Sequence, residues 1–231
     1  MSKLWNNQTE LFALVRKELF TALVGDVLDK MGYFHQFLPQ NLKPLDSGMV
    51  VIGRAMPVLE ADVFAGASED SNNSLLNRPF GLMFEALDQL SKDEVYVCTG
   101  GSYTYALWGG LMTTRALKVG AAGAVVNGFS RDTNEILKLN FPVFSAGTYA
   151  QDQGPRGKVI DYRIAIEIGG VKINPGDIIY GDRDGVIIVP CELERDVFHA
   201  AIEKARGEKQ VKKALEEGMT TVEAFRRFGI M

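Results

Sequence analysis

Glu94–Gly147 reads EVYVCTGGSYTYALWGGLMTTRALKVGAAGAVVNGFSRDTNEILKLNFPVFSAG. Apolar runs that end in glycine alternate here with segments of helical period, a pattern that predicts a βαβαβ unit. Open α/β sheets bind ligands beyond the carboxyl ends of their strands. Gly109-Gly110 and Gly128-Phe129-Ser130-Arg131-Asp132 both fall at such ends. The two turns are expected to converge on one small, charged ligand.

Working outward, Leu11, Leu14, Val15, Leu19, Leu23, Val27, Leu28 and Met31 line one apolar face of a helical segment that Gly32 ends. Met49–Met56 reads as a strand. The polar run from Ser68 to Arg78 is the least ordered in pattern, and Pro79 is placed to open a helix in FGLMFEALDQL. Short strands follow at Val159–Ile166, Val171–Ile173, Ile178–Tyr180 and Gly185–Pro190, separated in part by Gly169-Gly170 and Asn174-Pro175-Gly176-Asp177. Those turns suggest an antiparallel layer. A long charged helix is expected from near Glu192 to about Glu217, stopped by Gly218, and Thr220 with Glu223 forms a capping-box pattern for a last helix. The expectation is one α/β domain over residues 1–231, with a parallel core, an added β layer and helical ends.

Composition narrows the function. A net charge of −4 gives no concentrated basic surface for nucleic acid, and no window is apolar for the length of a membrane span. The first residues, MSKLWNNQTELFALVRKELF, lack the apolar core of a signal peptide, so the cytoplasm is the expected compartment. Cys98 and Cys191 form no C-x-x-C pair and read as reduced thiols, with no structural zinc site. No G-x-G-x-x-G or Walker-type loop is present, and His35 and His199 lack a local nucleophile motif.

The chemistry concentrates at the two turns. Arg131 carries a permanent charge and a fork of donors suited to a carboxylate or enolate, and Asp132 beside it can hold a hard cation such as Mg²⁺, completed by water and substrate oxygens. The alternative is that Asp132 caps the helix TNEILKL and Arg131 makes a surface ion pair. Gly109-Gly110-Leu111-Met112 would open a helix with free amides, an anion site, or else form a tight turn with no ligand. Glu135, three residues after Asp132, is either a second acid of the site or a first-turn partner of the helix dipole.

The segment Ala106–Gly147 resembles the superfamily of class II 4-hydroxy-4-methyl-2-oxoglutarate aldolases and regulators of ribonuclease activity (RraA-like). LVGDVLDKMG (23–32), VVIGRAMPV (50–58) and GGVKINPGDIIYGDRDGVIIVP (169–190) extend the resemblance over most of the chain. The resemblance implies a swivelling β/β/α layered fold with a βαβαβ core, assembled as a homotrimer or homohexamer with sites between subunits. It implies Asp132 as the ligand of Mg²⁺ or Mn²⁺, and Arg131 as the residue that binds the pyruvyl group and stabilises its enolate. Backbone amides at Gly110, Leu111 and Met112 would take the carboxylate, and Glu208 in KARGEKQ would serve a neighbouring subunit. The substrate would be a small 2-oxo acid, and the reaction aldol cleavage or oxaloacetate decarboxylation. Regulator members of the superfamily inhibit a ribonuclease by contact instead. One position departs from the aldolase pattern: where an acid is common, this chain has Gly110, and Glu135 could supply the carboxylate from the opposite turn.

Overall fold

The computed structural model describes residues 4–64 and 72–230. Residues 68–71 of the polar run lie outside them. Its remainder contains a 3-10 turn at Ser74–Asn77. The chain divides into two compact units, residues 35–191 and the chain ends, 1–34 with 192–231.

In chain order the helices are α1 (Gln8–Glu18), α2 (Thr21–Lys30), α3 (Met83–Gln89), α4 (Gly110–Val119), α5 (Thr133–Leu139), α6 (Glu194–Glu216) and α7 (Thr221–Phe228). The strands are β1 (Lys43–Pro44), β2 (Val51–Asp62), β3 (Glu94–Thr99), β4 (Ala106–Trp108), β5 (Gly123–Val126) and β6 (Phe129–Ser130). After these come β7 (Val143–Ser145), β8 (Gly157–Tyr162), β9 (Ile166–Ile168), β10 (Val171–Ile173), β11 (Ile178–Gly181) and β12 (Val186–Val189).

The central unit is built on an eight-stranded sheet ordered β1-β7-β5-β3-β2-β11-β12, with β8 also paired to β2. β2, β3, β5 and β7 run parallel, as the alternating pattern predicts, and buried Val95, Val97, Val125 and Phe144 fill one face of that core. β11 and β12 form an antiparallel hairpin, and β9 and β10 another. The second is closed by Gly169 and Gly170 at φ +60° and +84°, the left-handed pair that a two-residue hairpin turn requires.

β2 runs six residues beyond the expected end at Met56, straight through Pro57. The physical reason lies in its edge. The Pro57 carbonyl accepts from Arg163 N at 2.7 Å, so the missing N–H faces the same side. That side is where β11 pairing ends at Arg54 and β8 pairing begins at Val58, so no ladder bond is lost.

The chain ends form a helical unit in which α2, α1 and α7 pack on α6. The expected single N-terminal helix is two, because Leu19 and Phe20 are both extended. Leu19 turns inward and Phe20 outward. Arg206 holds Glu18 through two bonds of 3.0 and 3.1 Å, and its guanidinium lowers the Glu18 carboxyl below the usual range. The Thr220–Glu223 capping box forms as read from the sequence, and Gly218 at φ +94° closes α6. No helix among the described residues is long and apolar enough to cross a membrane.

One buried acid in β2 stands out. Glu60 is 2% exposed, Cys98 Sγ lies 3.8 Å from its Oε2, and its Oε1 has no hydrogen-bond partner among the described residues. Burial pushes its carboxyl from 4.5 up to about 8. An acid whose pKa is higher in the folded chain takes up a proton on folding, so its contribution is full below 4.5 and is lost as pH rises toward 8. Glu60→Gln keeps the neutral shape and removes this dependence. Its melting temperature should fall less than wild type between pH 4.5 and 8, by the equivalent of a few kcal/mol. Parallel melting profiles for the two proteins would refute a charge-linked role.

Candidate functional site

The site is built by two short strands that leave the main sheet. β4 pairs parallel to β6, Ala106 with Phe129 and Trp108 with Ser130. Parallel pairing puts both carboxyl ends on the same side, so the Gly109-Gly110 turn into α4 lies beside the Arg131-Asp132 turn into α5. Arg131 N donates to the Trp108 carbonyl at 2.9 Å and fastens one turn to the other. Trp108 is buried below them, stacked on Phe141 at 6.0 Å and tilted on Tyr96 at 5.1 Å. Its indole Nε1 donates to Thr113 Oγ1 at 2.8 Å, and that hydroxyl donates to the Gly109 carbonyl at 3.0 Å. A rigid aromatic floor therefore fixes the start of α4.

Asp132 sits at the N-cap position of α5, and its backbone carbonyl accepts from the Glu135 and Ile136 amides at 2.9 and 3.1 Å. Its side chain does not cap the helix. With φ 58° and ψ 34° the residue is left-handed, a conformation that aspartate tolerates better than most side chains. Its Oδ2 reaches across to accept the Gly110 amide at 2.9 Å. The capping alternative for Asp132 is thereby set aside. Arg131 does make an ion pair, inside the cavity: Nη1 lies 2.8 Å from Asp152 Oδ1, and Nε is 3.8 Å from Asp132 Oδ2.

Asp152 escaped the sequence reading. Its Oδ2 accepts the Gly154 amide at 2.8 Å, so the local signal, Asp-x-Gly-Pro, is that of an ordinary Asx turn. Nothing in the sequence links that turn to Arg131.

Gly110 carries the second surprise. Its amide, expected to face substrate, is taken by Asp132, so the helix start offers the amides of Leu111 and Met112, which bond no partner among the described residues. A Cβ on Gly110 would lie 2.3 Å from Glu135 Oε2 and 3.3 Å from Asp132 Cβ. The Glu135 carboxylate thus occupies the space that a side chain at 110 would fill. Glu208 lies on α6 in the helical unit, where Lys204 bonds it at 3.2 Å. His199 pairs with Glu203 at 3.4 Å.

Arg131, Asp132, Asp152, Gly110, Leu111 and Met112 line one cavity of about 540 Å³. At its polar end, the carboxylates of Asp132 and Asp152 outnumber the single guanidinium of Arg131, while Glu135, expected as a second acid of the site, is not among the residues that line the cavity. An excess of negative charge with an Asp132 side chain 44% exposed, and with no thiol or imidazole in the cavity lining, fits a hard divalent cation that keeps much of its water. The arrangement can hold a carboxylate on backbone amides, place a guanidinium against a developing oxyanion, and offer a carboxylate for proton transfer.

A parallel α/β core with an Arg-Asp turn facing a glycine-opened helix defines a class. The family model described as RraA-like, Aldolase/RraA, matches residues 21–188, and the chain belongs to that family. A Halalkalibacterium halodurans protein that carries 4-hydroxy-4-methyl-2-oxoglutarate aldolase as a provisional name is 30% identical over 205 residues, 89% of each chain. Protein DlpA of Legionella pneumophila is 31% identical over 207 residues, 88% of this chain, which spans only 31% of that protein's length. Among solved structures, Streptomyces coelicolor RraAS2, described as an unusual member of the RNase ES inhibitor RraA protein family, superposes with a TM-score of 0.74. It is 22% identical, covering 90% of this chain and 98% of its own. The fold is the RraA-like α/β fold.

The crowding at Gly110 is testable through stability. Glycine-to-alanine in a helix ordinarily gains up to ~1 kcal/mol. Here Gly110→Ala is expected to forgo most of that gain, because the Glu135 carboxylate must turn aside and Asp132 Cβ lies close, and Gly110→Ala with Glu135→Ala should recover it. Additive effects in a double-mutant cycle by thermal denaturation would show that the two positions do not share space.

Proposed function

We propose that this chain is a divalent-metal-dependent carbon–carbon lyase that acts on 2-oxo acids through a pyruvate enolate, by aldol cleavage, oxaloacetate decarboxylation or both. The observation that carries this reading is the convergence of Arg131, Asp132 and the Leu111 and Met112 amides on one cavity. The provisional aldolase name of one relative that covers 89% of the chain supports it.

In this reading the Leu111 and Met112 amides take the substrate carboxylate at the positive end of α4. Asp152 holds the Arg131 guanidinium at one nitrogen, which leaves further donors for the 2-oxo oxygen. Asp132 would hold a Mg²⁺ or Mn²⁺ ion, which when bound supplies positive charge to polarise the 2-oxo group. Glu135 accepts the proton of the 4-hydroxyl, directly or through a water. The C3–C4 bond then breaks, its electron pair passes into the enolate that Arg131 stabilises, and the carbon that carried the hydroxyl leaves as a carbonyl. Glu135 returns the proton to C3 and pyruvate is complete. Decarboxylation forms the same enolate with carbon dioxide as leaving group, so one site serves both reactions. We infer further that the active assembly is a trimer or hexamer in which Glu208 serves a neighbouring copy.

One observation favours a second reading, contact inhibition of a ribonuclease: Gly110 stands where aldolase-like members commonly carry an acid. The discriminating experiment is pyruvate release from oxaloacetate and 4-hydroxy-4-methyl-2-oxoglutarate, with Mg²⁺ and with chelator. Metal-stimulated release supports the lyase. Its absence on both substrates supports the binding protein.

Asp132→Ala should abolish the metal stimulation with the fold retained, and full activity in that variant would overturn the metal role. Arg131→Lys should lower kcat/KM by on the order of 10²-fold, because an ammonium cannot reproduce the paired contacts. Wild-type kinetics in the lysine variant would return Arg131 to a surface role. Sedimentation should give a trimer or hexamer, and a fully active monomer would exclude shared sites. Glu135→Gln should cut turnover ~10²-fold or more with little change in the binding of a pyruvate analogue. If turnover is untouched, Glu135 is not the proton carrier.

A further inference from the structure

The cavity has two chemically different ends. Arg131, Asp132 and Asp152 cluster at one, and Phe80, Met83, Phe84, Leu87, Leu111 and Met112 supply most of the remaining wall. Phe84 is 51% exposed and Leu111 84%, an amount of open apolar surface that marks a binding site when it sits in a concave pocket. The Phe80 and Phe84 rings meet edge to face with centroids 5.5 Å apart. Phe80 is held at φ +57°, a left-handed conformation unfavourable for so bulky a residue. Its carbonyl accepts from Val159 N at 3.2 Å, and the neighbouring Gly81 bridges to Val159. A strained backbone tied to β8 thus presents an aromatic ring to the cavity.

Away from Arg131, Asp132 and Asp152, the charged side chains in the wall are Arg115 and Asp88, and they are bound to each other at 2.9 Å. Asp88 holds Arg115 at Nε, and the pair is largely exposed. A substrate with a second carboxylate on C4 would share Arg115 with Asp88 and lie mainly against phenylalanine, leucine and methionine. Burying a charge in such surroundings is unfavourable, whereas an alkyl or aryl group gains by leaving water.

We propose that the substrate of this site is a 4-hydroxy-2-oxo acid whose C4 substituent is an apolar alkyl or aromatic group and not a second carboxylate. The proposal rests on the lyase reading for its reaction and on the cavity wall for its substrate class. Cleavage breaks C3–C4, sends the bonding pair into the pyruvate enolate, moves the 4-hydroxyl proton to C3 and releases an apolar aldehyde or ketone. No oxidant or reductant is consumed.

The test has two arms, both with Mg²⁺ present. In the first, pyruvate release is measured from 4-hydroxy-2-oxo-4-phenylbutanoate and from 4-hydroxy-4-methyl-2-oxoglutarate. kcat/KM should be at least ~10-fold higher for the phenyl compound, the least that burial of one ring provides. In the second, calorimetry compares 2-oxo-4-phenylbutanoate with 2-oxoglutarate, neither of which has a 4-hydroxyl to cleave. The phenyl compound should bind ~10-fold more tightly. Phe84→Ala should remove most of that difference and leave pyruvate binding unchanged. Asp88→Asn, which frees Arg115, should move the preference toward 2-oxoglutarate.

If neither substrate is cleaved but the binding preference holds, the lyase reading fails and the ligand class stands. If 2-oxoglutarate binds as well as the phenyl compound or better, or the diacid is the better substrate, the proposal is overturned. Binding of neither compound overturns it as well.

Discussion

The hydrogen bond from the Gly110 amide to Asp132 Oδ2 is the constraint on which the site depends. Two loops that begin on different strands are otherwise free to splay. This bond, with the Arg131 amide on the Trp108 carbonyl, makes them one body. It also explains the left-handed Asp132. The strain of that conformation, roughly 1–2 kcal/mol, is offset by a charge-assisted bond worth about 1.5–3 kcal/mol. An asparagine could keep the backbone shape but would accept the Gly110 amide only through a weaker, neutral bond. The carboxylate is therefore matched to both its backbone and its partner, before any ligand is considered.

The alternation of apolar runs, glycines and helical periods in Glu94–Gly147 made the parallel core and the position of both turns legible, because side-chain burial in a parallel sheet leaves continuous apolar strands in the sequence. The same logic could not follow β2 through Pro57, since local pattern does not reveal that a neighbouring strand ends opposite the missing N–H. Arg131, Asp132 and the helix start were readable as residue types in a pattern. Their actual bonds were not. Asp152 lies twenty-one positions beyond Arg131 in sequence, and only the folded chain shows that it holds the guanidinium. The break between α1 and α2 was hidden for another reason: Leu19 and Leu23 keep the apolar face continuous across two extended residues, so periodicity alone sees one helix.

The floor beneath the turns shows how core packing reaches the chemistry. Trp108 is buried between Tyr96 and Phe141, and its indole N–H is satisfied by Thr113, whose hydroxyl in turn bonds Gly109. A substitution at Phe141 or Tyr96 would therefore be felt at the first turn of α4 without touching a polar residue of the cavity. Because protein interiors are close-packed, loss of a stacked ring leaves a void that the indole can enter, and with it the carbonyl that opens the helix.

The place taken by the Glu135 carboxylate also bears on how relatives of this chain diverge. In this rotamer it fills the space next to Gly110, so a side chain at 110 would turn the Glu135 carboxylate aside. An acid at 110 would move the Glu135 carboxylate out of this rotamer, whereas glycine leaves it in place. An acidic function can in this way pass from one loop to its neighbour by exchange of two residues, with the charge of the cavity conserved while its sequence signature moves. Classification by the residue at one alignment column would then sort proteins with equivalent charge into different groups.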